Sequence, residues 1–163
     1  MVLNLSLGGM HRYLFLYGCY EPECTRIYLD IIPRNAGIVS IGANIGYYTL
    51  LEARAASSVY AIEPSPQNVE LLKKNISLNQ YEDRVEIYEL AISDRTGKSS
   101  LSVSGAPHHH RLLGSTEIQP EEDCIEVKTT TLDDFLIDKE VDVINMDIEG
   151  AEWLAINGMK DFF

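Results

Sequence analysis

Basic residues are scarce in this sequence. Against 25 aspartates and glutamates stand 13 lysines and arginines, for a formal net charge of -12. Affinity for a nucleic-acid backbone rests largely on cations that neutralise phosphates, so a DNA or RNA substrate is disfavoured at the outset. Cysteine is scarce as well. Cys19, Cys24 and Cys124 make an odd number, and no CxxC pair supplies zinc-ligand spacing. Reduced thiols in a cytoplasmic protein are the expectation. Long apolar runs are missing: "YLFLYGCY" (13–20) is too short to span a membrane and lacks the basic flank and cleavage pattern of a signal peptide. Internal repeats, low-complexity tracts and linkers are absent too, and the sequons at Asn4 and Asn75 have no secretory context.

What is present suits one globular domain. The 163 residues, 45% of them apolar, are enough for a real core and too few for two comfortable domains. Residues 1–34 read as an irregular, Tyr-rich lead-in, a hairpin or short helix, with the main domain over 35–163. From Gly37 the pattern sharpens. "IVSI" (38–41) reads as a buried strand, followed from Gly46 by a helix whose apolar face is Tyr48, Leu51 and Ala55. "SVYAI" (58–62) is a second strand. Ser65 as N-cap and Pro66 at the first helical position then open a helix with Val69, Leu72 and Ile76 as its stripe.

A third strand is expected at "VEIYELAIS" (85–93), a hairpin strand after "DRTGK", a polar loop over 105–122 and a strand at "CIEVKTT" (124–130). Thr131 and Asp134 have capping-box spacing. "VDVINMDIEG" (141–150) is the last strand, with a helix from Glu152 in which Trp153 anchors the core. This alternation implies an α/β fold, a mostly parallel sheet with helices on both faces. In such sheets ligands sit beyond the carboxyl ends of the strands. The unusual residues fall at those ends.

Gly42 and Gly46 let the backbone approach a ligand closely, and the helix starting near Gly46 offers unpaired N–H groups to an anion. Alone, two glycines four apart are ordinary turn chemistry. Glu63 ends the next strand 21 residues later (63 minus 42), the spacing at which an acid reaches a ribose diol. Together they favour a nucleoside-containing cofactor. The middle glycine of GxGxxG is missing, so NAD or FAD fits poorly. Near the end of the chain, Asn145, Asp147 and Glu149 alternate onto one side, with Ile144, Met146 and Ile148 on the other. Carboxylates at the end of a buried strand are costly unless paired or used. Asp147 is the functional candidate, whereas Glu152 suits a helix N-terminus. The run His108, His109, His110 and Arg111 reads as a solvated loop, so no metal site is expected.

The segments "IVSIGANIGYYTLL", "VYAIEPSPQNVELLKKNISLN", "ELAISDRTGKSSL", "VKTTTLDDFL" and "VINMDIEGAEW" resemble, in order and spacing, the FkbM-type family of S-adenosylmethionine-dependent methyltransferases. The resemblance implies a Rossmann-like class I methyltransferase fold and O-methylation of a hydroxyl on a small molecule or sugar. It would place Gly42, Ala43, Asn44 and Gly46 around the methionyl part of S-adenosylmethionine, whose carboxylate would face the helix N-terminus. Glu63 would hold the ribose hydroxyls, and Ala91 and Ile92 would line the adenine. Asp147 and Glu149 would lie near the sulfonium and the acceptor hydroxyl. An alcohol needs its proton taken, and Asp147 is the candidate base for that, with Glu149 as orienter or partner.

Two departures follow from the same resemblance. The family usually carries an aspartate at the position of Ser40, where it helps hold the cofactor's amino end, so a weaker hold is expected here. The family's domain also continues beyond Phe163, so the chain reads as truncated at its C-terminal end. That leaves 141–148 as an uncovered sheet edge, to be covered by the lead-in segment or by a second copy in a homodimer. The alternative reading is a catalytically impaired, cofactor-binding remnant. A nicotinamide-dependent oxidoreductase and a protein-binding module are the remaining competitors.

Overall fold

The computed structural model describes residues 1–103, 111–113 and 123–160. At its centre is β1 (Gly37–Ile41), every residue of which is buried. A short β-branched run has no polar face to show water, so it becomes an inner strand covered on both sides. β1 pairs in parallel with β2 (Ser58–Ile62) on one side and with β8 (Val143–Met146) on the other. Beyond β2 lies β3 (Val85–Tyr88), giving the order β3-β2-β1-β8. Among the described residues β8 has no further strand on its outer side.

Alternation along β1 sorts the two layers. Ile38 joins Leu50, Ala53, Val59, Ala61, Leu72 and Ile76 beneath α3 (Tyr47–Ala53) and α4 (Pro66–Leu78). Val39 and Ile41 join Ile62, Leu132, Phe135 and Ala155 beneath α5 (Leu132–Leu136) and α6 (Glu152–Asn157). Pro66 opens α4 as expected, although Ser65 caps it by position and not through its side chain. Thr131 does cap α5, accepting the Asp134 N–H at 3.1 Å. The face of α3 is turned from the one expected. Tyr47, Leu50 and Ala53 are buried, Tyr48 and Leu51 only partly, and Ala55 lies past the helix end.

The expected strand at 85–93 is two strands in two sheets. Glu63 N–H still donates to the Tyr88 carbonyl at 3.1 Å, but Ser65, the next residue of β2's side that would donate across, gives its N–H to Glu63 Oε1 instead, at 2.9 Å. The chain bends, and β4 (Ala91–Ile92) enters a second sheet with β5 (Gly97–Ser102), β6 (Arg111–Leu113) and β7 (Cys124–Thr130), ordered β4-β7-β5-β6. β6 lies inside the stretch expected to be loop. It pairs antiparallel with β5 because Leu112 is apolar and packs with the buried Leu101. His108, His109 and His110 lie outside the described residues.

Of the two forms expected for residues 1–34, a hairpin or a short helix, the helical one is found. These residues form α1 (Gly9–Tyr17) and α2 (Pro22–Ile31), stitched to α3 through Tyr47, whose hydroxyl accepts the Tyr20 N–H at 3.2 Å and lies 3.1 Å from Thr25 Oγ1. Trp153 does not anchor the core. It is 70% exposed, and α6 turns Ala155 inward instead. No helix among the described residues is long and apolar enough to cross a membrane.

Candidate functional site

A cleft with an open volume of about 980 Å³, counting the space at its mouth, lies past the carboxyl ends of β1, β2 and β8. Its floor is the turn from β1 into α3. Gly42 takes φ +82°, and a Cβ there would stand 2.0 Å from the Asp147 carbonyl oxygen. Only glycine lets the turn and the end of β8 meet backbone to backbone. Gly46 has a different task. At φ +93° a Cβ on it would come within 2.6 Å of Leu72 Cδ1, and it is not part of the cleft wall.

Four amides of this turn are engaged within the protein. Gly42 and Ala43 N–H both donate to the Ile62 carbonyl, at 2.9 and 3.0 Å, and Gly46 N–H donates to the Ala43 carbonyl at 2.9 Å. Asn44, held at φ +50°, donates its N–H to Glu63 Oε2 at 2.9 Å. The far side of the turn is pinned by the buried Asn75, whose Nδ2 donates to the Ile45 carbonyl at 2.8 Å. The three amides of this turn that belong to cleft-lining residues, those of Gly42, Ala43 and Asn44, are thus already engaged, in contrast to loops that cradle pyrophosphate.

Glu63 is 4% exposed. Besides Asn44 it accepts the Ser65 N–H at 2.9 Å and Asn68 Nδ2 at 3.2 Å, both at Oε1. Burial raises its pKa, and these three donors oppose the rise. A carboxylate offers roughly four acceptor positions, so part of its rim is left for a ligand. Ala91 and Ile92 add a small apolar wall across the cleft.

The opposite end is acidic and open. Asp147 and Glu149 line the cleft and are both exposed. Glu149 is a non-glycine residue at φ +53°, followed by Gly150 at +94°, in the turn that leads β8 into α6. Such backbone is strained and clusters where side chains are aimed for a task. Partial desolvation, then Glu149, Glu21 and Glu152, push the Asp147 pKa up. Tyr20 is raised by burial and by Glu21, Asp147 and Glu149 in turn. Glu152 fulfils its structural role, its Oε1 accepting the N–H of Ile148 at 3.1 Å and of Gly150 at 3.3 Å. Among the described residues, no three His, Cys, Asp or Glu side chains are grouped to hold an ion.

The cleft thus gathers Ser40, Gly42, Ala43, Asn44, Glu63, Ala91, Ile92, Asp147 and Glu149. It also takes in Met10, Tyr20, Tyr47 and Tyr48, which a reading of local pattern missed; the density of tyrosine before residue 50 was the available signal.

The family model of the Methyltransferase FkbM domain matches residues 40–163. The chain belongs to this family. It is 30% identical over 143 residues to the 2-O-methyltransferase NoeI of Sinorhizobium fredii, covering 76% of this chain and 57% of NoeI. Methyltransferase 1 of Beauveria bassiana is 23% identical over 180 residues, 97% of this chain and 69% of that protein. In the crystal structure of Methyltransferase FkbM from Methylobacillus flagellatus the same fold recurs, with a TM-score of 0.53 and 20% identity. That match covers 77% of this chain and 29% of the crystallised one. This FkbM chain is therefore a Rossmann-like methyltransferase domain that spans only part of the length of these relatives.

Proposed function

We propose that this FkbM domain takes S-adenosylmethionine as methyl donor and methylates a hydroxyl of a small molecule or sugar. One observation carries the reading: a cleft whose Gly42, Ala43 and Asn44 amides are already engaged, beside a buried acid and a small apolar wall. That combination favours a nucleoside without phosphates. Ala91 and Ile92 suit a flat base, Glu63 a ribose diol, and Ser40, Gly42, Ala43 and Asn44 the amino-acid end. Gly46 supports the turn from behind. NoeI, by its name, methylates an oxygen, which favours a hydroxyl acceptor here as well.

When bound, the cofactor supplies a methyl group on a positively charged sulfur. The protein's part is to hold the acceptor oxygen in line and to take its proton. Asp147 is the proposed base: it stands at the open end, and its raised pKa makes it a better proton acceptor than an ordinary aspartate. Glu149, two residues beyond, orients the acceptor. We further propose a cytoplasmic setting, in which the three unpaired cysteines stay reduced, and a second copy as cover for the outer edge of β8.

Calorimetry with S-adenosylhomocysteine tests the cofactor assignment, and transfer of a labelled methyl group to a panel of sugars and alcohols tests the acceptor class. Binding and transfer are expected. Binding without any transfer would mark a cofactor-binding remnant, and binding of NAD in place of S-adenosylhomocysteine would overturn the assignment.

A further inference from the structure

Glu52, the penultimate residue of α3, has no surface in contact with solvent. Its Oε1 accepts two hydrogen bonds, from Tyr28 Oη of α2 at 2.6 Å and from Asn145 Nδ2 of β8 at 2.9 Å. Its Oε2 has no hydrogen-bond partner. Ser40 faces the same carboxylate: its hydroxyl is near enough to lower the Glu52 pKa, together with Tyr28 and Asn145, against the larger upward push of burial. Among the described residues no cation contributes to this environment. A buried carboxylate with one oxygen unfilled and no counter-charge is expensive to keep. A strut would not need it, since a glutamine could accept the Tyr28 hydroxyl equally well.

Ser40 and Asn145 connect this carboxylate to the cleft. They are register partners across β1 and β8, and both line the cleft wall that Glu52 stands behind. Asn145 turns its amide nitrogen toward Glu52, donating to Oε1. Asn145 Oδ1 is then left as an acceptor for a ligand, next to the Ser40 hydroxyl.

Resting on the S-adenosylmethionine reading above, we infer that Glu52 supplies, through Ser40 and Asn145, the negative charge that receives the ammonium group of the cofactor's methionyl end. Glu52 is a positioning residue: Ser40 and Asn145 touch the ligand, and Glu52 orients and polarises them. The acid expected at position 40 has been moved from the strand to the helix above it. The weaker hold anticipated from Ser40 is therefore replaced by a hold of a different construction.

Glu52→Gln, compared with the parent chain by calorimetry, separates the charge from the shape. Two probes are used: S-adenosylhomocysteine, which carries the amino-acid end, and adenosine, which lacks it. Affinity for S-adenosylhomocysteine should fall about tenfold or more (~1.4 kcal/mol), while adenosine should change by no more than about twofold. Adding Ser40→Asp to Glu52→Gln should restore the loss by returning a charge to the wall. Ser40→Asp alone should weaken S-adenosylhomocysteine, because two carboxylates then share one site. If Glu52→Gln does not fold, that single variant carries the test, and tighter binding in it overturns the inference. Equal losses on both probes, or none on S-adenosylhomocysteine, would also overturn it. A parent chain that binds no S-adenosylhomocysteine would sink the cofactor reading and this inference with it, whereas a parent that binds it, with Glu52→Gln binding it equally well, would sink this inference alone.

Discussion

Glu63 and Asp147 end β2 and β8, the two strands that flank β1, and both look into one cleft. Glu63 is buried and accepts from Asn44, Ser65 and Asn68. Asp147 is exposed, and among the described residues no hydrogen-bond donor reaches its carboxylate. Burial opposes the charge in both cases, yet only Glu63 has donors set against it. The two acids are thus fitted for different work. One is locked into a wall that keeps its shape, and the other keeps its lone pairs free and its proton affinity high. A site that must hold one ligand and react with another needs both arrangements.

Removing the free acid should have the largest effect. Asp147→Asn is expected to lower methyl transfer roughly a hundred- to ten-thousand-fold, the range for loss of a general base. Affinity for S-adenosylhomocysteine should barely move. A base works ionised, so transfer by the parent chain should fall as pH drops through a pKa above the ordinary aspartate range, and this dependence should vanish in the residual activity of the variant. Stability should respond in the opposite sense. An acid whose folded pKa is raised is destabilising once ionised, so above that pKa the variant should melt no lower than the parent. Equal transfer rates in the two proteins would remove Asp147 from the mechanism.

On the locked side, the next effect is on folding. Gly42→Ala would force a Cβ to within 2.0 Å of the Asp147 carbonyl at φ +82°. Left-handed strain and overpacking together should destabilise by about 3 kcal/mol, read from urea unfolding. Glu63→Ala comes third. Losing a charged acceptor and leaving three donors unmet should weaken adenosine binding by roughly 1.5 to 3 kcal/mol, measured by calorimetry. Unchanged affinity would mean that Glu63 serves only the turn and not the ribose.

Much of the locked side was legible in the sequence, because its signals are local. The β-branched run before Gly42, Pro66 at the start of α4 and the stripe Val69, Leu72, Ile76 each declare themselves within a few residues. What stayed hidden depends on distant partners. Glu52 meets Asn145 across 93 residues of sequence and Tyr28 across 24, and no periodicity announces such a meeting. The break between β3 and β4 was written beyond the end of a different strand, where Ser65 gives its N–H to Glu63 and not to the chain after Tyr88. The helices of the first 31 residues were obscured because Phe15, Leu16, Tyr17, Ile27 and Ile31 are exposed, so apolar spacing there does not trace the buried face.

The smallest effect should come from the residue whose place was most misjudged. Trp153 looks like a core anchor in sequence, a large aromatic near the start of a terminal helix. In the fold α6 turns Ala155 into the sheet and packs Leu154 against the second sheet, which leaves the indole 70% exposed. Few contacts are lost when an exposed side chain is cut back, so Trp153→Ser should change stability by less than about 0.5 kcal/mol in urea unfolding. Trp153 is the single tryptophan of the chain, so its fluorescence reports on the same question without a mutation. The parent chain at low concentration should emit as a solvated indole and be quenched freely by iodide. If β8 and α6 meet a second copy, quenching should weaken as concentration rises, in step with light scattering, and Trp153→Ser should shift that association while leaving the monomer's stability alone. A loss of several kcal/mol in the dilute variant would instead show that the indole is packed inside the fold.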